Sequence, residues 1–152
     1  MLAPIGWDDA RARELAGLWR PKAIPARVAR VDRGGAVAVG TGGPVRLVAA
    51  GLVAGDWVAV EDGAVVAVLE RRGLVTRRAA GRADVAQAVA ANVDVVLAVH
   101  GLDRPLRERR LHRAAALAWE AGARPAVVLT KADLPGAEEV EARLLTALPG
   151  VD

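Results

Sequence analysis

The chain has 152 residues, 53% of them apolar, a net charge of +3 and no cysteine. That length and apolar content suffice for one respectable core or two small ones and exclude general disorder, while the missing cysteine excludes disulfides and cysteine-ligated zinc. No apolar run reaches the roughly 20 residues of a membrane span, and MLAPIGWDDARAR carries acidic residues where a secretory signal needs an apolar core, so a cytoplasmic protein with no membrane partner is expected.

Charge is unevenly spread. Residues 1–82 hold thirteen basic and eight acidic side chains, whereas residues 83–152 hold eight and ten. A basic first half suits a polyanionic partner or a solvated arginine-rich surface. Lys22 and Lys131 are the only lysines, and neither sits in a Gly-x-x-x-x-Gly-Lys-Ser/Thr pattern, so residues 1–152 contain no phosphate-cradling loop of that kind.

In chain order, residues 1–22 read as an N-terminal arm. Asp8 caps a helix over 8–19, Pro21 stops it, and Leu15, Leu18 and Trp19 are its docking residues. Residues 23–70 change to short β-like runs divided by glycine, five strands in all, with Glu61-Asp62-Gly63 as a hairpin turn. Five short antiparallel strands predict an oligonucleotide-binding (OB-fold) β-barrel, with an SH3-like barrel as the next choice. Trp57 lies in a clean in-out alternation, which favours a core role over a base-stacking platform. The chain has no Phe or Tyr, so arginine and phosphate must carry most of any nucleic-acid contact.

Residues 71–91 read as an arginine-rich connector in which Arg71, Arg72, Arg77, Arg78 and Arg82 are candidate RNA contacts, since the planar guanidinium suits phosphate; a plain solvated linker is the bland alternative.

Residues 92–152 have the period of an α/β layer: a strand over 93–99, a helix from about Pro105 to Ala121 capped by Asp103 and closed by Gly122, a strand over 125–130, and a helix over 138–148. His100 and His112 are ordinary strand-end and helix residues, too isolated to bind metal. A two-stranded parallel sheet needs cover on both faces and both edges, so this domain reads as incomplete.

The loop after the second strand, Thr130-Lys131-Ala132-Asp133, sits where open α/β sheets bind ligands. A carboxylate there can accept the two adjacent N–H groups of guanine, which adenine does not present. Asp133 is the candidate base reader, Lys131 would lay its aliphatic stem along the base, and Thr130 would hold the loop. Another kind of α/β enzyme, with Asp94 or Asp103 as acid or base, is disfavoured because Asp103 is better explained as a cap and no nucleophile stands beside it.

VAGDWVAVE, the arginine connector, VAQAVAANVDVVLAVHGLDRPL with its ANVD at Ala91–Asp94, RRLHRAAALAWEAGARP and TKADL at Thr130–Leu134 follow one another in an order that resembles the ribosome small-subunit-dependent GTPase A family. The resemblance implies a multidomain chain: an N-terminal OB-fold barrel followed by the incomplete first part of an α/β P-loop-type GTPase domain, circularly permuted so that the guanine loop precedes the phosphate loop. It implies a GTP hydrolase acting in maturation of the small ribosomal subunit, rRNA contact through the barrel, and guanine contact through Lys131 and Asp133. Thr130 stands where asparagine is commoner. GTP or GDP with Mg²⁺ is the implied cofactor set. The phosphate loop, the Mg²⁺-binding and switch segments and a zinc-binding region are expected beyond Asp152, which leaves residues 1–152 alone without GTPase activity. The alternative is a non-enzymatic OB-fold module that binds nucleic acid.

Overall fold

The computed structural model describes residues 2–78 and 86–152, which divide into two units, Met1–Asn92 and Val93–Asp152. Among the described residues no helix is long and apolar enough to cross a membrane.

The first unit opens with a short 3-10 turn, Ala3–Ile5, and helix α1, Asp9–Gly17. Asp8 caps α1 as expected, its carboxylate accepting the Arg11 N–H at 2.8 Å. The docking side of this arm differs from the expectation. Leu18 packs toward Trp57, Leu2 and Leu69, but Trp19 follows with a left-handed φ of 53° and is 91% exposed. The reversal of the chain at Trp19, just before Pro21, turns the indole away from the helix's apolar side.

Five strands follow: β1 (Ile24–Asp32), β2 (Gly35–Gly40), β3 (Gly43–Leu47), β4 (Trp57–Glu61) and β5 (Ala64–Val68). They form one antiparallel sheet in the order β3-β2-β1-β4-β5. Ala26 and Val28 of β1, Ala36 and Ala38 of β2, Leu47 of β3 and Val58 and Val60 of β4 alternate onto one buried side with Leu52. Trp57 is buried in a second, smaller cluster with Leu2 and Leu69. Trp7 meets Trp57 edge-on at 4.9 Å between ring centroids, and the Arg27 guanidinium lies 5.8 Å from the Trp57 ring. Trp57 is therefore buried as expected, but not on the inner side of the sheet. Val58 and Val60 face the sheet core while Trp57 packs with Leu2, Trp7 and Leu18 of the N-terminal arm, so β4 is buried on both sides and lacks the expected in-out alternation. The expected β4–β5 hairpin is present too: Glu61 pairs with Ala64, and Asp62 and Gly63 both take positive φ, as the favoured two-residue turn requires.

Within residues 71–91 the described residues include two strands where a connector was expected. Strands β6 (Leu74–Arg78) and β7 (Ala86–Ala91) pair antiparallel, and the Ala91 N–H donates to the Ala54 carbonyl at 2.8 Å. The AQAVAA of β7 has the composition of a helix, so only its pairing makes it a strand.

Asn92 closes the unit in a left-handed conformation, φ 54°. Its amide oxygen accepts from Arg11 Nη2 at 2.6 Å and from the Arg72 N–H at 3.0 Å, its amide nitrogen donates to the Gly55 carbonyl at 2.9 Å, and its own carbonyl accepts from Arg27 Nη2 at 2.9 Å. Arg11 is buried and also donates to the Glu70 carbonyl. This polar joint stands in for apolar packing where α1, β1 and the β6–β7 hairpin meet.

The second unit is β8 (Val95–Gly101), α2 (Glu108–Glu120), β9 (Arg124–Thr130) and α3 (Ala137–Ala147). β8 and β9 run parallel, from Val95 opposite Arg124 to Gly101 opposite Thr130. Ala98, Val127 and Leu129 pack on Leu111 of α2, Leu144 of α3 and Leu148, and the other side of the sheet leaves Leu97, Val99 and Val128 exposed. Gly122, φ 71°, closes α2 as expected, with the Ala123 N–H returning to the Ala118 carbonyl at 2.8 Å. The start of α2 corrects the sequence reading. The helix begins at Glu108 with Arg107 in the capping place, and Asp103 caps nothing because its carboxylate is engaged by Lys131.

Candidate functional site

The parallel strands of the second unit end side by side, and the loops that leave them are laced together. The Leu102 N–H donates to the Thr130 carbonyl at 3.1 Å, and the Thr130 hydroxyl donates to the His100 carbonyl at 3.4 Å. Thr130 thus ties the end of β9 to the end of β8. Lys131 then takes a left-handed φ of 62°, and the Leu134 N–H returns to its carbonyl at 3.1 Å to close a turn.

The Lys131 ammonium reaches across to Asp103, Nζ to Oδ2 at 2.5 Å. This hydrogen bond, seconded by the charge of Lys131 and of Arg104, holds the Asp103 carboxyl below its ordinary range although partial desolvation opposes it. Gly101 makes room for the pair: a Cβ there would lie 2.6 Å from Asp103 Oδ1. A hollow of about 250 Å³ opens against Gly101, Asp103, Thr130 and Lys131.

Asp133, two residues on, is exposed, and its carboxylate has no hydrogen-bond or ion-pair partner among the described residues. One loop thus carries an exposed carboxylate at Asp133, which does not line that hollow, and a half-exposed lysine whose ammonium pairs with Asp103. No signal in the sequence marks Asp103 for this role, since a helix cap explains it equally well.

The candidate RNA contacts are differently placed. Arg71 grips the buried Asp56 with two prongs, Nε to Oδ1 at 2.7 Å and Nη2 to Oδ2 at 2.8 Å, and also donates to the Gly51 carbonyl. Arg72 makes a two-pronged pair with Asp8. That contact, followed by the bond from the Arg11 N–H, holds the Asp8 carboxyl far below its ordinary range. Arg77 is exposed, and its side chain donates to the Gln87 side chain at 3.2 Å and to no other group among the described residues. Arg82 and the side chain of Arg78 lie outside the described residues. Among the described residues no three histidine or carboxylate groups stand together as ligands for a metal ion.

The family model for the RsgA GTPase matches residues 68–148, more than half of the chain. The chain belongs to the RsgA GTPase family. It is 39% identical to the small ribosomal subunit biogenesis GTPase RsgA of Streptomyces coelicolor over 99% of its own length, and 37% identical to that of Opitutus terrae over 94%. It spans 46% of each of these RsgA relatives, a little under half. Two solved structures share the fold. YjeQ from Thermotoga maritima aligns with a TM-score of 0.59 at 18% identity, covering 85% of this chain and 50% of that one. YloQ, described as a circularly permuted GTPase, aligns with a TM-score of 0.58 at 15% identity, covering 82% and 46%. The RsgA match takes in the β6–β7 hairpin, the α/β unit and the loop at Thr130–Asp133.

Proposed function

We propose that these 152 residues are the RNA-contacting and guanine-reading part of a GTP hydrolase that acts in maturation of the small ribosomal subunit in the cytoplasm. The five-stranded sheet is read as an OB-type barrel, and Val93–Asp152 as the first part of a circularly permuted P-loop-type GTPase domain. One observation carries the reading: a carboxylate, Asp133, with no partner among the described residues, just past the end of a parallel strand and two residues from a lysine that pairs with Asp103. Asp133 accepts the ring and amine N–H groups of guanine, Lys131 lies along the base, and Thr130 anchors the loop to β8.

These residues select the base and take no part in breaking the phosphate bond. Phosphoryl transfer to water depends on positioning and charge neutralisation at the phosphates, where Mg²⁺ supplies part of the neutralising charge. RNA contact is assigned to the barrel and to Arg71, Arg72, Arg77, Arg78 and Arg82. Arg71 and Arg72 reach a phosphate only by giving up Asp56 and Asp8, which makes Arg77 the readiest of the described ones.

The test is a titration of the ¹⁵N-labelled chain with GDP and, separately, ADP. GDP should shift the amides of Thr130 to Leu134 and ADP should not. Equal responses to both nucleotides would defeat the guanine reading.

A further inference from the structure

The Val93–Asp152 unit has eight cationic and nine acidic side chains, and they are not evenly matched. Lys131 and Arg104 approach Asp103, Arg143 pairs with Glu108, and Arg124 faces Asp152. The other four cations, Arg107, Arg109, Arg110 and Arg113, have no carboxylate partner among the described residues, are all exposed, and fall within seven residues of one another.

Their position is unfavourable for the chain by itself. They crowd the first turns of α2, the positive end of the helix dipole, where cations are disfavoured. The one acidic residue of the first turn, Glu108, is engaged by Arg143. Arg104, Arg107 and Arg110 also line a hollow of about 290 Å³ with His100, whose Nε2 atom is buried without a hydrogen-bond partner among the described residues. The side of α2 opposite its buried Leu111, Ala115 and Ala118 presents Arg109, His112 and Arg113, with Trp119 half-exposed at its far end. Like charges gathered without counter-charges repel one another, and polyanion binding relieves this. Each of the four is arginine, whose flat fork matches phosphate oxygens two at a time, and Trp119 offers a face on which a base can stack.

We propose that the exposed face of α2 binds the phosphate backbone of a folded RNA, as an RNA contact carried by the second unit. Arg104 and Arg110 also line the hollow beside Gly101, Asp103, Thr130 and Lys131, so this contact borders the loop proposed to read guanine. The choice of RNA over other polyanions rests on the reading of this chain as an RNA-directed protein.

The whole 152-residue chain, ¹⁵N-labelled, is titrated with a short RNA hairpin, and in parallel with vesicles of phosphatidylserine and phosphatidylcholine. The amides of residues 107–119 should shift with RNA. In a parallel anisotropy measurement the triple change Arg109→Gln, Arg110→Gln and Arg113→Gln should lower the slope of log affinity against log salt by roughly two to three, about one for each phosphate that is no longer neutralised. Shifts confined to the first unit would overturn the proposal while leaving the RNA-directed reading intact; no shift anywhere would overturn both. An unchanged salt slope in the triple variant, or α2 shifts with vesicles and none with RNA, would also overturn it. The three arginines are exposed, and the wild-type titration decides the matter even if the triple variant folds poorly.

Discussion

Asp56 is fully buried, and Arg71, from the far side of the β5 strand in sequence, is the cation that neutralises it. The pairing also raises the pKa of Arg71, the hydrogen bond to Asp56 being the largest cause. A buried carboxylate stripped of its partner is an uncompensated charge, although it would keep the bond it accepts from the Val53 N–H at 2.9 Å. Arg71→Ala is expected to destabilise the first unit by about 3 kcal/mol. Arg77→Ala, at an exposed position, should change stability by less than about 0.5 kcal/mol. Urea unfolding followed by tryptophan fluorescence reads both, because Trp7 and Trp57 lie in that unit.

Asn92 should be intolerant of substitution for two separable reasons. Asn92→Gly keeps the left-handed backbone but removes the bonds to Arg11, Arg72 and Gly55; Asn92→Ala loses both. Each variant is expected to cost roughly 2 kcal/mol or more, with alanine the worse by about 1 kcal/mol. Equal losses would mean that the backbone conformation contributes nothing.

Base selection should follow Asp133. Asp133→Ala is expected to abolish the GDP-dependent shifts of the loop, while Asp103→Asn, which keeps the shape but weakens the hold on Lys131, should reduce GDP affinity by roughly tenfold or less. The GDP and ADP titrations of labelled protein supply both values. An Asp133→Ala variant that still favours GDP over ADP would remove the carboxylate from the recognition scheme.

Affinity for the triphosphate itself should be low. Residues 1–152 lack a Gly-x-x-x-x-Gly-Lys-Ser/Thr loop, and most binding energy in such sites comes from phosphate and Mg²⁺ contacts, so calorimetry should give a Kd for GTP of roughly millimolar or weaker. No hydrolysis is expected from these residues. Micromolar binding would require a phosphate seat of another kind.

Acid should loosen the chain in a defined window. Asp8, Asp32 and Asp103 all titrate below their ordinary value of 3.8 when folded, chiefly through bonds from Arg72, from the Gly34 N–H and from Lys131 respectively. A depressed folded pKa means the folded state binds its proton later than the unfolded state. The stabilisation is therefore complete above the unfolded value and is lost as pH falls from about 4 toward the depressed values. Melting temperatures recorded between pH 7 and pH 2 should be flat at first and drop only below about pH 4.

The change to an α/β period was read at residue 92, next to the boundary between the two units, but the arm, the five-stranded region and the connector, read as three segments, fall in one unit. The Asp62-Gly63 turn and the Asp8 cap declared themselves through local chemistry. Long-range partnerships did not. Nothing near Asp103 in the sequence says that its carboxylate faces Lys131, 28 residues away, instead of the helix that follows. The arginines at 71 and 72 looked like surface charge because their counter-ions, Asp56 and Asp8, lie 15 and 64 residues earlier. Strand β7 hid in an alanine-rich segment whose intrinsic preference is helical, and only its register with β6 reveals it. Trp19 was misplaced for a related reason: helical spacing put it beside Leu15 and Leu18, but the helix stops at Gly17. In the loop proposed to read guanine the reverse holds. Thr130, Lys131 and Asp133 were singled out from their spacing after an apolar strand, while the pairing of Lys131 with Asp103 came only with the fold.

Gly101 constrains this corner through a side chain and not through the backbone. A methyl group at the end of β8 would fall 2.6 Å from an oxygen at the tip of Asp103, so substitution there would turn that carboxylate and disturb its pairing with Lys131. If the loop reads guanine as proposed, its selectivity is open to tuning from a residue that never touches the base.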